Sequence, residues 1–132
     1  MRGRAAAAAC ALVAFCLSGC SSNQERVVSQ VAEQLHAAID NEDGAAACDV
    51  LSDDVQEELQ DADGTSCEVA IVEAGISANG RIESVQVFGT AGQVRYHDDV
   101  IFLADFPDGW KVIGAACEKQ AAEPYDCKVR GG

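Results

Sequence analysis

The segment Val100-Ile-Phe-Leu-Ala-Asp-Phe-Pro-Asp-Gly-Trp-Lys-Val-Ile-Gly-Ala-Ala-Cys117 decides the fold. Apolar residues dominate both of its halves, and Pro107-Asp108-Gly109 between them is a hairpin turn. Two antiparallel strands over residues 100–106 and 110–116 follow. Val100 to Leu103 is continuously apolar, which predicts a central strand covered on both faces. Working back from there, the apolar period stays near two over residues 81–88 and 93–97. Gly89-Thr90-Ala91-Gly92 supplies one turn and His97-Asp98-Asp99 another, so four strands form a meander.

Upstream of Gly80 the period lengthens. Val27, Val28, Val31, Leu35, Ala38 and Ile39 recur at helical spacing over residues 25–40, with Val31, Leu35 and Ile39 as the expected core line. A short helix over 45–51 carries Cys48 inward. Ser52 is a good N-cap for a third helix, with Val55 and Leu59 inward and Asp53 and Asp54 at the favoured end of its dipole. Ser66 opens a fourth, carrying Cys67, Ile71 and Ala74, which Gly75 stops. Helices followed by strands predict an α+β domain over residues 26–132: N-terminal helices packed on a curved four-stranded antiparallel sheet. Trp110 and Phe102 are expected beneath the first helix with no titratable pair buried beside them. The tail from Glu118 reads as irregular.

The beginning of the chain carries a different signal. Arg2 and Arg4 precede an apolar run over residues 5–17, and Leu17-Ser18-Gly19-Cys20 closes it. This is the layout of a secretory signal, whose apolar region spans about 7–15 residues. It is too short for a membrane-spanning helix, which needs about 20. The quartet reads as a bacterial lipobox: a diacylglyceryl group on the Cys20 thiol, cleavage after residue 19, and acylation that leaves several chains, palmitate among them, on Cys20. Several chains on one residue anchor stably where one does not. The expected organisation is a signal peptide over residues 1–19, a tether over 20–25, and a domain at the outer face of the bacterial cytoplasmic membrane.

Removing residues 1–19 takes Arg2 and Arg4 with it and leaves seven basic residues against 22 acidic ones, a net charge of −15. That excludes a nucleic-acid partner, which demands Lys and Arg for its phosphates. Cys48, Cys67, Cys117 and Cys127 remain beside Cys20. Four cysteines in an exported domain imply two disulfides in one of three connectivities. Cys48–Cys67 with Cys117–Cys127 joins neighbouring segments and avoids threading. No two of the four lie two to four residues apart, the spacing of structural zinc ligands, so no metal is expected. Asp61-Ala-Asp63-Gly64 matches only the middle of a calcium loop, with Leu59 and Ala70 at the first and twelfth positions.

Taken together, Ala-Cys48-Asp-Val-Leu-Ser52, Ser66-Cys67-Glu68, and Trp110-Lys-Val-Ile-Gly-Ala-Ala-Cys117 leading to Pro124-Tyr-Asp-Cys127 resemble small exported lipoproteins of high-GC Gram-positive bacteria. The order of elements resembles the nuclear transport factor 2-like superfamily of cone-shaped α+β domains. The resemblance covers about residues 27–131 and rests on structural residues. It implies a cavity between helices and sheet, lined here by Val85, Val87, Tyr96, Phe102 and Trp110. The superfamily hosts enzymes, carriers and interaction domains, so the fold assigns no activity.

Acid–base candidates are His97, Asp98, Asp99 and Tyr96, with His36 on the first helix. A His–Asp pair suits general-base chemistry. His97 alternates away from the apolar face at a turn, and His36 sits beside the core line, so neither is read as catalytic. The expected function is a noncatalytic envelope domain that binds a protein or ligand and holds no cofactor. Carriage of a small apolar ligand and isomerase or dehydratase chemistry are the alternatives.

Overall fold

A computed structural model describes residues 19–77, 80–122 and 125–131, with side chains from residue 22 onward. Residues 1–18, which hold most of the expected signal peptide, lie outside the described residues. Four helices come first: α1 (Gly19–Asp40), α2 (Gly44–Asp49), α3 (Asp53–Asp63) and α4 (Cys67–Glu73). Five strands follow: β1 (Ile82–Phe88), β2 (Ala91–Tyr96), β3 (Val100–Phe106), β4 (Gly109–Glu118) and β5 (Asp126–Arg130). All pair antiparallel in the order β1-β2-β3-β4-β5. Among the described residues, no helix is long and apolar enough to cross a membrane.

The expected α+β class stands, with five strands in place of four. The fifth lies in the tail expected to be irregular. Its apolar signal is only Cys127 and Val129, interleaved with charged residues. It pairs with β4 through Ala115↔Val129 and Cys117↔Cys127. Helix α1 begins at Gly19, so residues 20–25, read as a tether, continue the helix. Both disulfides pair as expected, Cys48–Cys67 and Cys117–Cys127.

The core lies between the helices and one sheet face. Val28, Ala32 and Leu35 of α1 are fully buried, while Val31 and Ile39 are only half-buried. The buried stripe is therefore centred one residue away from the expected line. From the sheet come Val94, Tyr96, Ile101, Leu103, Trp110, Val112, Ala115 and Val129. Gly92 marks the closest approach: a Cβ there would lie 3.1–3.2 Å from Val28 and Trp110 side-chain atoms.

Phe102 corrects a second expectation. It alternates with fully buried Ile101 and Leu103, so it occupies the opposite face, where its ring meets Tyr125 edge-on at 5.0 Å. Of the five residues expected to line one cavity, Tyr96 and Trp110 are buried in the core and Val85 and Val87 pack against it. Phe102 is not among them.

Strand β4 organises the fold. One edge pairs with β3, and the other is divided. Residues 114–118 take β5, while Val112 is claimed by the α2–α3 junction: Ser52 N–H donates to Val112 O at 2.9 Å and Val112 N–H to Val50 O at 2.8 Å. The junction thus satisfies backbone groups that a shorter β5 leaves open. Asp43 caps α2 by accepting from Ala46 N–H at 3.0 Å. Gly44, next in line, packs on the Glu68 backbone of α4 so closely that a Cβ would collide with the Glu68 carbonyl. The Cys48–Cys67 bridge spans the same two helices.

Gly44→Ala must therefore push α2 off α4. It should destabilise the domain by about 3 kcal/mol, the upper part of the range for overpacking a core. The measurement is a fall in urea midpoint at unchanged slope.

Candidate functional site

His36, one turn before the C-terminal end of α1, meets Tyr96 and Asp99 at the β2–β3 turn. The imidazole Nε2 lies 3.3 Å from Asp99 Oδ2, with the two side chains 7% and 9% exposed. The Tyr96 ring covers the imidazole at a centroid distance of 4.3 Å. A titratable pair is thus buried in the domain, contrary to the sequence expectation. The cause is the shifted stripe on α1. Val28, Ala32 and His36 lie four residues apart, so a helix that buries the first two brings the third inward.

Asp99 is held on its other sides as well. Its Oδ1 accepts the Cys117 N–H at 3.0 Å, and its backbone carbonyl accepts the Tyr96 N–H at 2.8 Å, closing the turn. The Cys117 N–H is free for this because β4 shifts register against β3 between the partners of Phe102 and Val100. Ala116 there adopts φ +52°, a conformation that side chains other than glycine take up rarely. A bulge in β4 therefore serves Asp99.

The Tyr96 hydroxyl is buried and has no hydrogen-bond partner among the described residues. Burial, reinforced by the negative charges of Glu33 and Asp99, pushes its pKa up to about 12. The phenol therefore stays protonated throughout the physiological range.

His97 is separate from this cluster. It is exposed, with Nδ1 3.2 Å from Glu83 Oε1 and Nε2 3.7 Å from Asp98 Oδ1. The Glu83 hydrogen bond, with Asp98 and Glu83 charges beside it, holds the imidazole above its usual value. Of the sequence candidates, the structure brings together His36, Tyr96 and Asp99. It leaves His97 and Asp98 on the surface.

Two shallow clefts flank the Asp98–Asp99 turn. One, of about 510 Å³, runs past Arg95, His97, Glu118, Lys119 and Tyr125. The other, of about 210 Å³, is lined by residues including Gly75, Ser77, Ala116 and Lys128. Asp99 forms part of both walls, while His36 and the core residues Val85, Val87 and Trp110 border neither. Among the described residues, no three His, Cys, Asp or Glu side chains converge as metal ligands would.

A carboxylate partner favours the His36 tautomer that carries hydrogen on Nε2, as in a catalytic dyad. A general base must also reach its substrate. Here the His36 side chain is buried and the face of its ring is covered, so the arrangement serves best as a clamp between α1, the β2–β3 turn and β4.

Removing one partner of a buried pair leaves the other uncompensated, so His36→Ala should destabilise by about 3 kcal/mol. His97→Ala should stay within about 0.5 kcal/mol. Chemical denaturation of both variants tests the contrast. Tyr96 makes a second prediction. Its folded pKa of about 12 exceeds the ordinary tyrosine value of 10.0, so its share of stability is intact below pH 10.0 and is lost as the pH rises towards about 12. In a Tyr125→Phe protein, phenolate absorbance should appear only with alkaline unfolding or close to pH 12.

No family model matches the chain, and neither a curated protein nor a solved structure does, so the reading of this cluster rests on its own geometry.

Proposed function

We propose that this chain is an exported lipoprotein with a noncatalytic binding domain, held through Cys20 at the outer face of the bacterial cytoplasmic membrane. Leu17-Ser18-Gly19-Cys20 behind Arg2 and Arg4 carries the anchor. The domain fits a nuclear transport factor 2-like member in its order of helices and antiparallel strands, and two disulfides suit an oxidising compartment. Binding is favoured over turnover because the one buried His–Asp pair has its carboxylate engaged on both oxygens and its imidazole covered. A large apolar ligand finds little room beside Gly92, where α1 already touches the sheet. Any partner is an envelope protein or a small ligand met at the surface.

A second reading, acid–base chemistry of isomerase or dehydratase type, is favoured by the unpartnered Tyr96 hydroxyl next to His36 and Asp99. A substrate oxygen reaching that hydroxyl would complete its hydrogen bonding.

Cys20→Ser should abolish the acyl mass and move the protein out of the membrane fraction. A native protein whose mature terminus is unlipidated and lies elsewhere overturns the anchor. Native mass spectrometry of the detergent-extracted protein separates the readings of the domain. A bare protein mass supports surface binding. A tightly held small adduct that His36→Asn or Tyr96→Phe releases supports the second reading.

A further inference from the structure

Helix α1 and strand β2 run side by side. Val28 touches Gly92 near one end, and His36 touches Tyr96 near the other. The eight residues between the helix contacts span about 12 Å at 1.5 Å each, and the four between the strand contacts span about 13 Å. The near-equal spans make the two elements almost parallel in direction. The N-terminus of α1 therefore leaves the domain at the end opposite the His36–Asp99 cluster.

That end is also where the β1–β2 and β3–β4 hairpins turn. Gly89-Thr90 and Pro107-Asp108 make the two turns, and Asp105 N–H donates to Thr90 O at 2.9 Å, which fixes one tip against the other. Each hairpin ends on an exposed phenylalanine, and Phe106 also borders a cleft with Asp53, Asp54 and Asp108. Phe88 is 70% exposed and Phe106 39%. Both lie on the sheet face turned away from α1, since each follows one residue after an inward position. Cys20 lies eight residues before Val28, about 12 Å further along the helix. Phe88 and Phe106 pair with Ala91 and Gly109, one residue beyond Gly92 and Trp110 and so about 3 Å further along the strands, and the turns lie about 7 Å further. The helix thus reaches furthest at this end, and the two phenylalanines lie about 9 Å behind Cys20, on the same end of the domain.

We propose that this end of the domain rests on the lipid bilayer, with Phe88 and Phe106 seated among the headgroups beside the acylated Cys20. The inference builds on the lipid-anchor reading. Exposed aromatics are favoured at the boundary between headgroups and acyl chains, and a second weak contact adds to an anchor without new chemistry. The domain then stands upright. Its His36–Asp99 end and the two clefts beside it point away from the membrane, where an envelope partner can approach. With a net charge of −15 for the mature chain, the contact is apolar rather than electrostatic.

The test uses full-length lipidated protein in phosphatidylcholine vesicles whose acyl chains carry bromine, a contact quencher of tryptophan. The only native tryptophan, Trp110, is the buried internal reference. Phe88→Trp and Phe106→Trp should lose emission relative to unbrominated vesicles. His97→Trp, at the far turn, and the native protein should not. In parallel, amide exchange in the native protein should slow over residues 88–91 and 105–109 when vesicles are present. Protein that floats with vesicles but shows neither quenching at the tips nor slowed exchange overturns the docking and leaves the anchor intact. Equal quenching at residues 88 and 97 overturns the orientation. Protection that appears with protein concentration alone assigns the tips to a second copy and also overturns the proposal. An unlipidated protein that fails to float removes the anchor itself.

Discussion

The carboxylate of Asp99 joins three elements that are distant in sequence. One oxygen faces His36 of α1, the other takes the Cys117 N–H of β4, and the residue itself closes the β2–β3 turn. Cys117 is in turn bridged to Cys127 of β5. One charge therefore fixes the end of the first helix, the middle of the sheet and, through the disulfide, the last strand. A charge so enclosed is tolerated because both of its oxygens have partners. It also explains the positive φ of Ala116: a regular β4 would offer that N–H to β3.

At the other side of the domain, covalent bonds and close contact do similar work. Cys48–Cys67 and Gly44 hold α2 against α4, and the α2–α3 junction hydrogen-bonds into the part of β4 that β5 does not reach. Bridges closing loops of this size contribute about 3 kcal/mol each in the chain-entropy model. For a domain whose net stability is typically about 5–15 kcal/mol, two of them matter as much as any part of the core. Cys48–Cys67 also lets short helices persist, since α2 and α4 have six and seven residues and such lengths are unstable alone.

The domain has two unlike ends. One carries the start of α1 and two exposed phenylalanines; the other carries the His36–Asp99 clamp, an exposed His97 and the clefts around the Asp98–Asp99 turn. With the proposed anchor at the first end, the second would face away from the membrane and offer a surface rich in ionisable groups. Tyr96 and His36 support the turn from behind that surface.

The amino-acid sequence by itself determined the class of the fold, the four helices and four of the strands, and it favoured the disulfide pairing that the structure shows. Each depends on local signals: a change of period at Gly80, turn residues between apolar runs, and cysteines on adjacent segments. The proposed lipobox also rests on a local signal. Only the tertiary structure decided which face of α1 is buried. Val31, Leu35 and Ile39 form as good a helical stripe as Val28, Ala32 and Leu35, and a shift of one residue turns a helix by about 100°. That shift brought His36 inward and made its partner Asp99, which the sequence placed in an ordinary turn. The fifth strand was equally hidden, because an edge strand stapled by a disulfide needs little apolar signal of its own. Phe102 went to the far face because strand alternation is set by the neighbours' register, and an unbroken apolar run carries no mark of which side is in.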